Sequence, residues 1–569
     1  MSALREVGAP DDGSAAVRRL GGLTRRVPWR RVLGAAGLLL VVLVLFAGYL
    51  RMSRSRPVNA DGASNALQAW DMLHGNPLLS GWTVTDVSFY TTELVEYLLV
   101  ELFYGLRADV VHVAAAVTYT LTVLLVAVVA RGSATGREGW LRAGVGVAIV
   151  LVPSPDIGYT VVLLSPDHFG TGVPLLVTWL VLERGLRKPS RWLPYAVLVL
   201  LTWAQLGDPL AMFIGAAPLA GVCLLRMWRD RTWRGLDAHL LIAAVSSVFM
   251  TYLALVLIRL AGGFGIHPPI AKFAPLSDLL THLRVTGEAL ALNFGGHFGM
   301  WDHPLGWPVA LLNLCGLAVA AWAFGVALSR LVRRPANTAG DRVADVLAVA
   351  ILVNLLAFVV STQPGDLLTA RQVVVVLPLG AALGGRLLGT YLHGAARPRT
   401  VPVLAGVLAV LSIGWGVSAA VATPVRPEAH QAAEWLAANG HTYGLGSYWA
   451  ANTTTLYTRG KVHVAPVAGL ERIAGYRWES REDWYDPARR DARFVIIDLS
   501  EAHYGTVDSA LAQFGQPVTR QDFGRWAVLV YDRNLLVGLP AFCEPRPAAS
   551  MAQCPYLRPR MPMSTLFFK

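Results

Sequence analysis

Leu33-Gly-Ala-Ala-Gly-Leu-Leu-Leu-Val-Val-Leu-Val-Leu-Phe-Ala-Gly-Tyr-Leu50 contains no charged residue and no proline. Such a run reads as a membrane-spanning helix, because about 20 apolar residues cross a hydrocarbon core of roughly 30 Å. A helix also satisfies its own backbone in lipid. Arg18, Arg19, Arg25, Arg26, Arg30 and Arg31 precede it, and Arg51, Arg54 and Arg56 follow. The larger basic cluster marks the cytoplasmic side. Residues 1–32 therefore read as a cytoplasmic basic leader, and the helix as an uncleaved signal anchor.

Working outward, apolar runs recur at 109–130, 142–162, 169–184, 192–206, 209–226, 238–261, 307–330, 343–361, 371–391 and 402–421. The reading is an all-α polytopic membrane bundle of about eleven spanning helices. Composition agrees: of 569 residues, 54% are hydrophobic and 15% charged, against roughly 25% charged in soluble chains. The net charge of +12 resides in short Arg-rich loops, at 131–142, 184–191, 226–234, 330–342 and 397–399. These loops alternate with Arg-poor ones, which predicts a cytoplasmic set and an outer set. No nucleic-acid motif accompanies the charge, so nucleic acid is not an expected partner.

An odd number of spans puts residues 422–569 outside, as a soluble domain after a transmembrane domain of 33–421. Strand-like Phe494-Val-Ile-Ile-Asp498 and Trp526-Ala-Val-Leu-Val-Tyr531, with a helical start at Pro427–Trp435, predict a small α/β domain. Cys223 and Cys315 fall in apolar runs. Cys543 and Cys554 lie in a polar segment, as an extracytoplasmic disulfide or as two free thiols.

The first outer loop, 51–108, is long enough to carry structure of its own. Asp61–Gly75 places Ala66, Ala69, Trp70 and Leu73 at helical spacing, and Thr92–Tyr104 does the same for Leu94, Tyr97, Leu98 and Leu102. Both read as amphipathic helices lying at the bilayer surface. Asp61 stands at the start of the first. Aspartate is a favoured N-cap, and capping is compatible with a catalytic role.

Asn59-Ala-Asp61 through Ala69-Trp-Asp-Met-Leu-His-Gly75, then Phe89-Tyr90-Thr91-Thr92-Glu93-Leu94 and Tyr97–Gly105, resembles the first-loop motif of the GT-C glycosyltransferases. That class includes protein O-mannosyltransferases, lipid A aminoarabinose transferases and arabinosyltransferases. The likeness covers residues 33–130, and elsewhere in the membrane region only the layout. An acidic pair usual in the class is reduced here to Asp61-Gly62, and a basic-Pro-Pro-Leu segment is replaced by Tyr90–Leu94. The resemblance implies a GT-C-like bundle. It further implies inverting transfer of a sugar from a polyprenyl-phosphate-linked donor to a glycan, lipid or protein acceptor at the outer membrane face. Membrane lipids are the other partner.

Under that resemblance Asp61 is the general base that accepts the acceptor hydroxyl proton. Glu93 holds a metal or orients the acceptor, or is a helix-start acid favoured by the macrodipole. Tyr90 stands where the class contacts the donor. Arg371 corresponds to an Arg that contacts the lipid phosphate, which its planar fork suits, or it is an interfacial snorkelling side chain. Asp167 and His168 could pair on a phosphate or a divalent ion, or form a capped turn. Asp208, near membrane depth, faces a cavity or a tight turn. A divalent metal ion is thus the one cofactor raised, and its ligands are undefined. Gly444–Asn452 reads as a Gly- and aromatic-rich loop with faces suited to sugar rings. Two other readings stay open: a non-catalytic envelope scaffold on the same fold, and a lipid or solute transporter.

Overall fold

Each apolar run forms a helix. A computed structural model describes residues 29–164, 168–267, 271–301, 306–334, 341–395 and 399–542. Asp167, Cys543, Cys554 and residues 1–28 lie outside the described residues. Residues 1–47 and 48–569 are separate units. Helix α1 (Trp29–Ser53) is followed by the loop elements α2 (Ala60–Leu73), β1 (Trp82–Val84) and α3 (Glu93–Tyr104). The bundle continues with α4 (Asp109–Arg131), α5 (Gly136–Val150), α6 (Ile157–Leu163), α7 (Gly172–Arg187), α8 (Leu193–Gly207), α9 (Ala217–Asp230) and α10 (Leu236–Leu260). Strand β2 (Gly265–Ile266), α11 (Leu279–Asn293), α12 (Gly306–Arg333), α13 (Arg342–Val359), α14 (Val376–Gly394) and α15 (Thr400–Val421) complete it.

Among the described residues, 7 helices are long and apolar enough to cross a membrane, or up to 8 when a bent pair is one span. Helix α8 is a shorter apolar helix, and α5 and α7 occupy two further runs of the expected eleven. The chain is a multi-pass membrane protein. Three details depart from expectation. The run 142–162 is two helices, because Pro153 and Pro155 remove backbone donors and end α5. The connection between the runs 238–261 and 307–330, which holds no apolar run, contains α11, whose scattered His282, Arg284 and Glu288 obscure its periodicity. Arg371 does not start an α-helix. It sits in a 3-10 turn, Leu367–Val373, bent 57° from α14 and capped by Asp366, whose carboxylate accepts from the Leu368 and Thr369 amides.

Helix α3 is turned inside out relative to a soluble helix. It buries Glu93, Leu94, Tyr97 and Glu101 and exposes Leu99, Leu102 and Phe103, the last at 86%. Lipid, not water, is the medium that accepts such a face. The loop helices thus meet the membrane with α3 and the C-terminal domain with α2.

That domain comprises α16 (His430–Ala438), β3 (Tyr443–Ser447), α17 (Tyr448–Tyr457), β4 (His463–Ala468), β5 (Ala474–Tyr476), β6 (Ser480–Arg481), β7 (Phe494–Asp498), α18 (Val507–Phe514), β8 (Thr519–Phe523), β9 (Trp526–Val530) and β10 (Ala541–Phe542). Seven strands pair in the order β10-β5-β4-β3-β7-β9-β8. Strand β3 is parallel to β4 and β7, so α17 is the crossover between parallel neighbours. A second sheet, β2-β1-β6, joins two loops of the bundle to this domain: Thr83 pairs with Gly265 on one side and with Ser480 on the other. One hydrophobic core runs through both parts, with Ala63, Leu67 and Trp82 packed together with Leu445, Leu456 and Trp484.

Burial pushes the Glu96 carboxyl up to about 7 and that of Glu101 up to about 9. A carboxyl with a raised folded pKa binds more protons folded than unfolded, so its contribution to stability is lost as pH rises through that window. Glu101→Gln removes the penalty at every pH. The variant is expected to melt higher than wild type in detergent, with the gap wider near pH 8 than near pH 5. Melting curves at the two pH values check it, and an equal gap at both counts against a neutral buried Glu101.

Candidate functional site

Helix α2 starts with a division of labour. Asn59, not Asp61, is its N-cap, and the Asn59 side chain accepts from the Gly62 amide at 2.9 Å. The Asp61 carboxylate is free of capping and turns outward from the first turn. The single acid at this position has a packing reason. A Cβ at Gly62 would sit 2.7 Å from Val111 Cγ1 on α4, so no second carboxylate fits beside Asp61 without moving α2.

Three segments converge on Asp61. The Tyr448 phenol, at the first position of α17, donates to Asp61 Oδ1 and lies 2.6 Å from Glu479 Oε2. A phenol has one proton, so it donates to one carboxyl while the other needs a proton of its own to avoid facing a lone pair. Burial, then the charges of Asp61 and Glu479, hold the Tyr448 hydroxyl well above its usual pKa, so it stays a donor. Arg371 Nη1 lies 3.7 Å from Asp61 Oδ2, with the Arg side chain 42% and the Asp side chain 20% exposed. Asp61 is therefore held by Tyr448 on one oxygen and faces Arg371 with the other. Glu479 has φ +49, a backbone strain that clusters at functional sites.

The remaining sequence-predicted residues lie elsewhere. Glu93 is sealed, 2% exposed, and a Cβ at Gly170 would meet its Oε1 at 2.2 Å. Burial, with the charges of Glu96 and Asp208, pushes its carboxyl well up. Beside it, a cavity of about 10 Å³ lined by Glu93, Tyr97, Thr118, Phe169 and Gly170 is the size of one water. Tyr90 donates to the Pro77 carbonyl at 2.7 Å and packs on Phe264, which makes it a brace between loops.

His168 and Asp208, expected as separate ligand contacts, contact each other at 2.8 Å. Thr171 and the Leu210 amide also donate to Asp208. Burial raises the Asp208 carboxyl, but His168 and these donors outweigh it and hold the group below its usual value. Asp86 lies within the field of His168, His267 and Asp208, and burial pushes it up. Among the described residues no three His, Cys, Asp or Glu side chains are grouped to hold a metal ion. No step is routed through a metal ion.

Sequence reasoning missed Tyr448 and Glu479. The segment expected as an aromatic loop is a strand followed by a helix, β3 then α17, which aims Tyr448 from the carboxyl end of a parallel strand. Crevices at such strand ends are the usual ligand sites of α/β sheets, and that was the available signal. Glu479 has no local pattern to mark it.

Fold and site together define a polytopic α-helical membrane protein whose first loop and C-terminal α/β domain share one carboxylate cluster. Among solved structures, the chain is similar to the oligosaccharyltransferase of Archaeoglobus fulgidus, tethered to an acceptor peptide containing the NVT sequon via a disulfide bond. That match has 12% identity over 81% of this chain and 69% of that one, with a TM-score of 0.43. It is also similar to ArnT from Cupriavidus metallidurans bound to undecaprenyl phosphate, at 12% identity over 87% of this chain and 98% of that one, TM-score 0.37. No protein-family model and no curated protein sequence matches the chain.

The buried Asp208 cluster gives a stability prediction. Asp208→Ala strands the Thr171 hydroxyl, the Leu210 amide and one contact of His168. The expected cost is on the order of 3 kcal/mol, read as a clear drop in melting temperature in detergent. An unchanged melting temperature would show that the cluster does not hold these loops together.

Proposed function

We propose that the protein transfers a glycosyl group from a polyprenyl-phosphate-linked donor to an acceptor hydroxyl at the extracytoplasmic membrane face, with Asp61 as general base. The observation that carries this is the approach of Arg371 to Asp61 at 3.7 Å, which sets a base beside a phosphate-competent cation at one end of the bundle. The Arg-rich loops between α4 and α5, α7 and α8, α9 and α10, and α12 and α13 mark the other end as cytoplasmic. The N-terminus is then cytoplasmic and the sheet domain extracytoplasmic.

The acceptor oxygen forms its bond to the anomeric carbon on the face opposite the phosphate, and the bond from that carbon to the phosphate oxygen breaks. The proton of the acceptor hydroxyl passes to Asp61, and the polyprenyl phosphate departs with the bonding pair. Inversion follows from this single displacement. Arg371 neutralises the charge growing on the leaving phosphate, where a fixed cation gains most. Tyr448 keeps one Asp61 oxygen hydrogen-bonded and leaves the other for the incoming hydroxyl. Helix α3, with its apolar side chains turned outward, lies where a prenyl chain enters from lipid.

Asp61→Asn preserves shape and removes the base. Transfer from a radiolabelled polyprenyl-phosphate sugar in membranes is expected to fall on the order of a hundred- to ten-thousand-fold. Arg371→Ala is expected to raise the donor KM, and Arg371→Lys to restore it only in part, because a point charge lacks the bidentate fork. Full transfer by Asp61→Asn, in a variant that folds and melts like wild type, overturns the assignment.

A further inference from the structure

Around Tyr448 the sheet domain carries further aromatic side chains that catalysis does not use. Tyr448 ring-packs on Tyr476 at 5.9 Å and on Tyr504 at 5.8 Å between centroids. Tyr476 and Trp478 are 6.2 Å apart with planes only 6° from parallel. Trp478 reaches His267 of the α10–α11 connection at 4.6 Å. Tyr476, Trp478 and Tyr504 are all partly exposed, whereas Arg477 between the first two turns inward to the Gly81 carbonyl and the Thr83 hydroxyl. Tyr504 is near enough to Asp61 for the carboxylate to act on it: burial, then the charges of Glu501 and Asp61, push its phenol up to about 12.

We infer that Tyr476, Trp478 and Tyr504 form an acceptor subsite that takes the ring of a carbohydrate chain, so that the acceptor is a glycan. The inference rests on Asp61 being the place of transfer. Aromatic side chains left partly exposed beside a charged cluster mark an interaction surface. Sugar rings present apolar C–H faces to such planes, while their hydroxyls need polar partners at the edge. Here Tyr476 and Tyr504 pack on Tyr448, whose hydroxyl meets Asp61 and Glu479, and these carboxyls supply that edge. A chain lying on Trp478 and Tyr504 would offer its terminal hydroxyl to the reachable oxygen of Asp61. A lipid acceptor would use a face turned to the bilayer, and the exposed apolar side chains of α3 are on another element.

The test uses the full-length protein in nanodiscs and short oligosaccharides released from the host envelope polysaccharide by mild acid. Binding is read by isothermal titration calorimetry, and transfer by kinetics with those oligosaccharides as acceptor. Trp478→Leu keeps apolar bulk and loses the aromatic plane. It is expected to weaken oligosaccharide binding and to raise the acceptor KM by about tenfold, with donor KM and kcat little changed, whereas Trp478→Phe retains most of both. Asp61→Asn, which keeps a hydrogen-bonding side chain, is expected to retain most oligosaccharide binding while failing to transfer. Unchanged binding and acceptor KM in Trp478→Leu overturn the subsite, even if Asp61→Asn is inactive. Weakened binding in Trp478→Leu together with full transfer by Asp61→Asn supports the subsite and sinks the base. Wild-type protein that binds no oligosaccharide, yet transfers sugar to a lipid or a peptide, also overturns the glycan acceptor.

Discussion

The Tyr448 hydroxyl, set between the carboxyls of Asp61 and Glu479, is the contact on which the site depends. Its three participants come from the first loop, the start of a crossover helix and a strained turn before β6. No one of these segments makes a site alone. A phenol kept protonated by burial can hold a carboxylate without neutralising it, as an ammonium would. That is the condition a base needs when it must be fixed in place and still accept a proton.

The surrounding packing makes this contact geometrically fixed. Helix α2 presents Ala63, Ala66 and Ala69, all fully buried, and these small side chains let α17 approach closely. Asp71 accepts from Trp82, Asn76 and Arg481 at 2.7–2.9 Å, which ties α2, β1 and β6 together. The rings of Trp82 and Trp484 meet at 5.1 Å. A loop helix that would otherwise float on the bilayer surface is thereby built into the core of the sheet domain. The bend at Leu367–Val373 then brings Arg371 to the same point from the membrane side.

The spans were legible because lipid imposes a length and an apolarity that soluble folding does not. Asp61 and Arg371 stand out in the sequence as charges near membrane depth, at the starts of the first loop helix and of the run 371–391. The structure changed their local settings, since Asn59 caps α2 and Arg371 lies in a 3-10 turn. Glu93 misled because its spacing suggests an exposed first-turn acid, while its burial follows from Gly170 and α4, far away in sequence. The lipid-facing inversion of α3 has the same origin: periodicity identifies two faces but not which solvent each one meets. Tyr448 and Glu479 were not legible, because the contact between them depends on how β3, α17 and β6 pack in three dimensions.

The account makes one demand that a direct view can meet. A cryo-EM map of the full-length protein with a polyprenyl phosphate bound should show the phosphate against the Arg371 guanidinium, with the open oxygen of Asp61 facing the site of the anomeric carbon and the prenyl chain leaving along α3. A phosphate seated at the Arg-rich end of the bundle, with Asp61 and Arg371 still closed on each other, would contradict it.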